Sequence, residues 1–93
     1  MGTIYTCKYY PQVLIKDTPH LDSVTKERIK RAILERLETD PLMYGFPLRG
    51  ILKPHWKLRV GDYRVLYEIV KNEVHIVVIG HRKEVYEILE NRL

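Results

Sequence analysis

Lys57, Arg59 and Arg64 are the residues whose types and spacing point most directly to chemistry. Gly61-Asp62 is typical of a two-residue turn between two alternating segments. If that turn closes a hairpin, Arg59 lies opposite Arg64 and the three cations emerge on one face. Like charges in opposite positions destabilise a strand pair, here by roughly 1–3 kcal/mol before salt screening. We therefore expect this face to bind an anion.

The other face of the hairpin is apolar, which explains why the strands form. The same turn pairs Val60 with Tyr63, Leu58 with Val65, and Lys57 with Leu66. A second turn at Lys71-Asn72 adds another strand, and the apolar face then carries Trp56, Leu58, Val60, Tyr63, Val65, Tyr67, Ile69, Val74, Ile76 and Val78. Leu66, Val77 and Ile79 are left on the cationic face. A one-residue slip at either turn would exchange the two faces.

His81 is a further candidate for chemistry. It ends the last predicted strand, where we expect it on the cationic face close to Asp62 and Arg64. Imidazole suits proton transfer near neutral pH, so His81 is a candidate for a catalytic or RNA-contacting role. The alternative is a surface histidine at a strand end. His55 is a weaker candidate, and the parity of Trp56 predicts packing in the core rather than base stacking.

Composition indicates one small globular domain. The 93 residues are 45% hydrophobic and 30% charged, so we expect a single domain over residues 1–93. Cys7 is the only cysteine, which excludes an internal disulfide, fits a reducing cytosol and predicts a core position. The four histidines lack metal-ligand spacing, so we expect neither a metal nor another cofactor. No apolar run approaches the ~20 residues of a membrane span, which favours a cytoplasmic protein. The formal charge of +4 is compatible with a nucleic-acid partner.

The coarse pattern predicts the order β-α-α-β-β-β-β-α, an α+β domain. We expect a first strand over Thr3 to Tyr9 and a short helix from Pro11 to Asp17, ending before Pro19. A second helix, capped by Asp22 or Ser23, runs to about Thr39 with a stripe of Ile29, Ile33 and Leu37 and with Leu34 alongside. Met43 to Leu52 is predicted to form a loop with a short strand. After the two hairpins, Lys83 to Leu93 has the spacing of a terminal helix.

Two of these segments resemble a known family. The order WKLRVGDYRVLYEI, followed by VHIVVIGHRKEVY, is similar to the RelE/ParE superfamily, the toxic partners in type II toxin–antitoxin pairs. The resemblance extends from the first strand to the terminal helix and is most specific in LRVGDYRVLYEI and GHRKEVY. It implies the RelE-like microbial RNase fold, with a mostly antiparallel sheet of four to five strands. Two N-terminal helices cover one face in that fold, and a C-terminal helix follows the sheet.

The resemblance also implies an activity and its residues. Members of the RelE branch bind the ribosomal A site and cut messenger RNA there without a metal. Carried over by motif, the site would consist of Lys57, Arg59, Arg64, Arg82 and Tyr86. Because the spacing from Arg82 to Tyr86 is short compared with some members, Tyr86 departs most from the family pattern.

The implied reaction is attack by the ribose 2′-OH on the adjacent phosphate, leaving a 2′,3′-cyclic phosphate and a 5′-OH. Arg64 and Arg82 suit stabilisation of the growing negative charge, because guanidinium stays protonated and binds phosphate oxygens bidentately. Lys57 is the candidate base, since the neighbouring cations disfavour its protonated form. Tyr86 could stack on a base or orient the 2′-OH. If Tyr86 is dispensable, His81 is the substitute acid.

The expected partners are the ribosome, messenger RNA and a RelB-like antitoxin, with no membrane. Three other functions stay open from the sequence. The chain could be a gyrase-inhibiting toxin of the ParE branch, although that branch generally lacks the full cationic set. It could also be a non-catalytic RNA-binding module that holds phosphates without chemistry, or a toxin whose activity has been lost.

Overall fold

Five strands form one mixed sheet in the computed structural model, which describes residues 4–93. The strands are β1 (Thr6–Tyr9), β2 (Phe46–Pro47), β3 (Trp56–Val60), β4 (Tyr63–Val70) and β5 (Glu73–His81). Their order across the sheet is β1-β5-β4-β3-β2. β1 runs parallel to β5, and every other neighbouring pair is antiparallel. The α+β class and the mostly antiparallel sheet are therefore confirmed, while the predicted strand start at Thr3 lies outside the described residues.

Besides a 3₁₀ turn at Gly50–Leu52, four helical segments accompany the sheet. They are α1 (Val13–Asp17 and the 3₁₀ turn Thr18–His20), α2 (Ser23–Ala32, continued by Ile33–Leu37), α3 (Pro41–Tyr44) and α4 (Val85–Arg92). α1 continues past its predicted end, because Pro19 lies in the first turn of the 3₁₀ segment, where no backbone N–H is required. α3 occupies part of the segment predicted as loop. Among residues 4–93, no helix is long and apolar enough to cross a membrane.

The β3–β4 hairpin has the predicted register. Arg59 lies opposite Arg64 and Leu58 opposite Val65. Gly61 adopts a φ of 60°, a conformation that glycine reaches without the steric cost that a Cβ would add. The turn therefore fixes which side chains share a face, and the three cations of the hairpin are on the same side of the sheet.

The β4–β5 pair departs from the predicted register at a β-bulge. Leu66 pairs with Val78, whereas the adjacent Tyr67 pairs with Ile76, so Val77 is the extra residue. Every side chain beyond the bulge changes face relative to a regular strand. The predicted faces of Val78 and Ile79 are therefore wrong: Ile79 packs in the core beneath α1 and α2, and Val78 packs on the other face.

The helices cover both faces of the sheet. α1 and α2 pack on one face through Val13, Ile29, Ile33 and Leu37, which are all buried. The predicted stripe of α2 is thus confirmed, although Leu34 beside it is 49% exposed. α4 packs on the other face through Val85 and Leu89, against Leu66, Val77 and Val78. This second face also carries the cations of the β3–β4 hairpin.

Candidate functional site

Lys57 and Tyr86 meet on the face that α4 covers. Lys57 comes from β3 and Tyr86 from the first turn of α4, and the Lys57 Nζ lies 5.8 Å from the centre of the Tyr86 ring. At this distance an ammonium group is attracted to the face of an aromatic ring. Both side chains are half-buried, and Tyr86 packs at the margin of the small core beneath α4. The helix therefore places an aromatic ring beside an amine from a distant strand.

Arg59 and Arg64 extend this surface across the hairpin. The Cζ of the exposed Arg59 lies 4.9 Å from the centre of the Phe46 ring on β2. Arg64 is half-buried, and its Nη1 donates to the carbonyl oxygens of Gly61 (2.9 Å) and Tyr63 (2.8 Å). Both bonds use the same nitrogen, so they orient the guanidinium without engaging Nε or Nη2. The hairpin turn thus holds Arg64 in place while leaving donors for a ligand.

Arg82 is tied to the hairpin turn from the end of β5. Its backbone N–H donates to the Asp62 carbonyl oxygen at 2.9 Å. Its Nε lies 3.9 Å from the Asp62 carboxylate, and both side chains are more than half exposed. Such an exposed pair contributes little stability and exchanges readily for another anion. The five predicted residues therefore occupy the α4 side of the hairpin and its adjoining turn.

His81 is not where the sequence predicted it. It pairs with Tyr63, and the two rings form an edge-to-face contact at 5.8 Å between centroids. Tyr63 packs against the core beneath α1 and α2, so His81 lies on the opposite side of the sheet from Lys57. The cause is the bulge at Val77, which reverses the parity of the end of β5.

The remaining candidate groups have structural surroundings. His55 is buried, with its Nδ1 3.0 Å from the Leu52 carbonyl oxygen. Cys7 packs at the margin of the main core, where it is half-buried rather than fully buried as predicted, and burial raises its pKa to about 11. Trp56 also packs there. In the part of the chain that the structure describes, no three His, Cys, Asp or Glu side chains are grouped so that they could hold a metal ion.

One buried ion pair joins residues from the two ends of the chain. Arg92, near the end of α4, binds both carboxylate oxygens of Asp17 on α1, at 2.7 and 2.9 Å. Its Nη1 also donates to the Val77 carbonyl oxygen at 2.8 Å, and the Ile79 N–H donates to Asp17 at 3.0 Å. The pair therefore joins α1 and α4 to β5 next to the bulge. Seventy-five residues separate the partners, so no local pattern could indicate it.

Comparison with known proteins gives the chain its family. Residues 12–86 match the family model described as the ParE toxin of the type II toxin–antitoxin system parDE. The chain belongs to the RelE/ParE toxin family. The chain is also 31% identical to the mRNA interferase toxin RelE of Escherichia coli over 84 residues, which are 85% of this chain and 87% of that protein.

Solved structures of RelE/ParE toxins have the same fold. The toxin–antitoxin complex RelBE2 from Mycobacterium tuberculosis aligns with a TM-score of 0.79 at 28% identity, covering 85% of this chain and 99% of that one. A free double arginine-to-alanine mutant of E. coli RelE aligns with a TM-score of 0.72 at 26% identity, covering 97% and 98%. The predicted resemblance to the RelE/ParE superfamily and the predicted RelE-like fold are therefore confirmed.

Proposed function

We propose that this toxin is a ribosome-dependent messenger RNA endonuclease that cuts in the A site and thereby inhibits translation. The observation that carries the proposal is the meeting of Lys57 with Tyr86, on the face where Arg59 and Arg64 emerge. The amine can act as a general base, the aromatic ring can stack on a nucleobase, and the two guanidiniums can bind phosphate. The 31% identity to a protein named mRNA interferase toxin RelE supports the same activity.

Each residue has a role in the proposed reaction. The 2′-OH attacks the adjacent phosphorus, the bond to the 5′-oxygen breaks, and the products are a 2′,3′-cyclic phosphate and a 5′-OH. Arg64 and Arg82 stabilise the charge on the phosphate oxygens, Arg64 through donors that its turn contacts leave available. Lys57 accepts the 2′-OH proton, and Tyr86 stacks on a base or orients the hydroxyl. Arg59 neutralises a neighbouring phosphate.

The acid that protonates the leaving oxygen is the least constrained role. His81 faces the opposite side of the sheet from Lys57, so it could serve as the acid only after a rearrangement. We therefore assign the acid to a group on the α4 side or to the ribosome. Positioning of the message by the ribosome would supply much of the rate enhancement, because so few protein groups are available.

The proposed partners are the ribosome, its message and a RelB-like antitoxin. The RelBE2 structure from M. tuberculosis is a toxin–antitoxin complex, and a RelE–RelB complex from Pyrococcus horikoshii aligns with a TM-score of 0.61 at 25% identity. A toxin that acts on ribosomes must be active in the cytoplasm. An antitoxin with an acidic surface would associate rapidly with the cationic face described above.

Primer extension on a defined message in a purified translation system tests the proposal. We expect cleavage within A-site codons by the wild type, only when ribosomes are present. Arg64→Ala and Arg82→Ala should abolish it, whereas Lys26→Ala, a charge change on α2 across the sheet, should leave it intact. An uncut message with folded wild-type protein would refute the proposal.

Inhibition of DNA gyrase is the second candidate function. It is favoured by the family model, whose description names the ParE toxin. A supercoiling assay separates the two functions, because a gyrase inhibitor would block supercoiling and would leave messenger RNA intact. Its inhibition should also survive Arg64→Ala.

A further inference from the structure

Four arginines surround a cleft at the edge of the sheet, away from α4. The cleft has a volume of about 230 Å³ and lies between α2 and the β3–β4 turn. The arginines that line it are Arg28, Arg31, Arg36 and Arg59, and Glu35 is the one carboxylate that lines it in the described part of the chain. Such an excess of positive charge in a concave site raises the local concentration of anions.

The protein does not neutralise these cations itself. Within residues 4–93, none of the four guanidiniums forms an ion pair with a carboxylate at 4.0 Å or less. Arg92, by contrast, is fully partnered by Asp17. Four arginines that line one cleft without paired counter-charges repel one another, and a bound anion would relieve that repulsion.

Backbone contacts hold two of the arginines at the cleft. β2 pairs with β3 only at Trp56 and Lys57, so the edge of β3 beyond these residues is open. Arg36 fills part of that edge by donating from Nη1 to the Arg59 carbonyl oxygen at 3.3 Å. Arg28 lies against the turn, where a Cβ on Gly61 would be 2.8 Å from its Nη1. The glycine therefore allows both the turn and the close approach of the guanidinium.

Arg59 connects the cleft to the proposed cleavage site. It lines the cleft, and by its position on β3 it shares the face of Lys57. An RNA backbone that leaves the Lys57 site would therefore reach the cleft by passing around the edge of β3. A protein partner would favour apolar anchor positions, but the apolar side chains among residues 4–93 that line the cleft, Ala32 and Val60, are buried.

We propose that this cleft, defined by Arg28, Arg31, Arg36 and Arg59, is a second RNA-binding site that holds backbone phosphates outside the cleavage site. Guanidinium groups bind phosphate oxygens bidentately, and contacts of this kind position RNA without reading its sequence. The inference rests on the proposed endonuclease function and extends it, because it adds an anchoring surface that adjoins the cleavage site at Arg59. RNA binding in this cleft does not itself require cleavage.

The test compares two double variants of equal charge on the same helix. Arg28→Gln/Arg31→Gln alters the cleft, whereas Lys26→Gln/Lys30→Gln removes two positive charges from another face of α2. The probe is a 2′-O-methyl RNA stem–loop, which 2′-OH attack cannot cut, and its dissociation constant is measured by fluorescence anisotropy at several salt concentrations. Thermal melting verifies that both variants are folded.

We expect the cleft variant to bind about tenfold more weakly than wild type, and the control variant to differ by less than about twofold. The slope of log affinity against log salt should fall by about 1.4–1.8 for two lost phosphate contacts. Equal affinities for the two variants would overturn the proposal. So would a cleft variant that keeps RNA affinity and loses affinity for polyglutamate, because the occupant would then be an acidic peptide.

This readout is independent of cleavage. If wild-type protein leaves messenger RNA intact but the two variants differ in RNA affinity, the endonuclease proposal fails and the cleft proposal stands. If wild type cuts the message and the two variants bind RNA equally, the endonuclease proposal stands and the cleft proposal fails.

Discussion

Replacing Arg92 by methionine should destabilise the fold strongly, because Arg92 forms the buried ion pair with Asp17. Methionine is about as long as the aliphatic part of arginine, so the substitution keeps the packing of that part. It removes three hydrogen bonds, two to Asp17 and one to the Val77 carbonyl oxygen. The Asp17 side chain is only 5% exposed, so its carboxylate would be left buried without a counter-charge. Breaking a buried pair in this way costs about 3–5 kcal/mol. Domains of this size have a total stability of roughly 5–15 kcal/mol.

Urea denaturation of Arg92→Met, Asp17→Asn and the double variant measures this coupling. The amide introduced by Asp17→Asn is uncharged but can still accept the Ile79 N–H, so this change should be much less harmful in the Arg92→Met background than alone. Arg82→Met is the matched control, because its pair with Asp62 is exposed and spans 3.9 Å. We expect it to change the free energy of unfolding by less than about 1 kcal/mol.

Two results would contradict this reasoning. A loss below about 1 kcal/mol in Arg92→Met would mean that solvent reaches the Asp17 carboxylate. Strictly additive effects of the two substitutions would mean that the side chains do not interact. In either case α4 would have to be held by its apolar contacts alone.

Four other predictions concern single residues. Burial raises the pKa of Cys7 to about 11, so little thiolate is present at pH 8. We expect Cys7 to react with iodoacetamide at that pH about a hundredfold more slowly than in urea-unfolded protein. Equal rates would contradict its position against the core. Tyr67→Phe should cost about 1 kcal/mol in urea denaturation, since it removes the 2.7 Å bond to the Pro41 carbonyl oxygen. Gly45→Ala should cost more than Tyr67→Phe, because the added Cβ would collide with the Tyr67 hydroxyl. Tyr86→Phe should keep most cleavage activity if the ring acts by stacking, whereas Tyr86→Ala should lose it; equal losses would assign the role to the hydroxyl.

The hairpin that carries the cations could be predicted from the sequence alone. A Gly-Asp turn and strict alternation determine which residues of β3 and β4 share a face, so the common placement of Lys57, Arg59 and Arg64 could be predicted. The apolar stripe of α2 was equally readable, because its spacing of four residues is local. These features depend only on residues close together in the chain.

The bulge in β5 could not be predicted, and it determines where His81 lies. Its neighbouring backbone groups are satisfied by Asp17 and Arg92, which come from opposite ends of the chain. Alternation in β5 alone is equally compatible with a regular strand. The arginine cleft could not be predicted for a similar reason: no local pattern in α2 indicates a site, and only the tertiary fold places its arginines beside Arg59.

The most direct test of the proposed function is the chemical identity of the RNA ends that the toxin produces. Ribosomes are programmed with messages that place several codons in the A site, each made with and without a 2′-O-methyl group at the scissile nucleotide. We expect the unmodified messages to be cut, with a 2′,3′-cyclic phosphate and a 5′-OH detected by mass spectrometry, and the methylated messages to stay intact. Intact unmodified messages, or cleavage that ignores the methyl group, would contradict 2′-OH attack at the Lys57–Tyr86 surface.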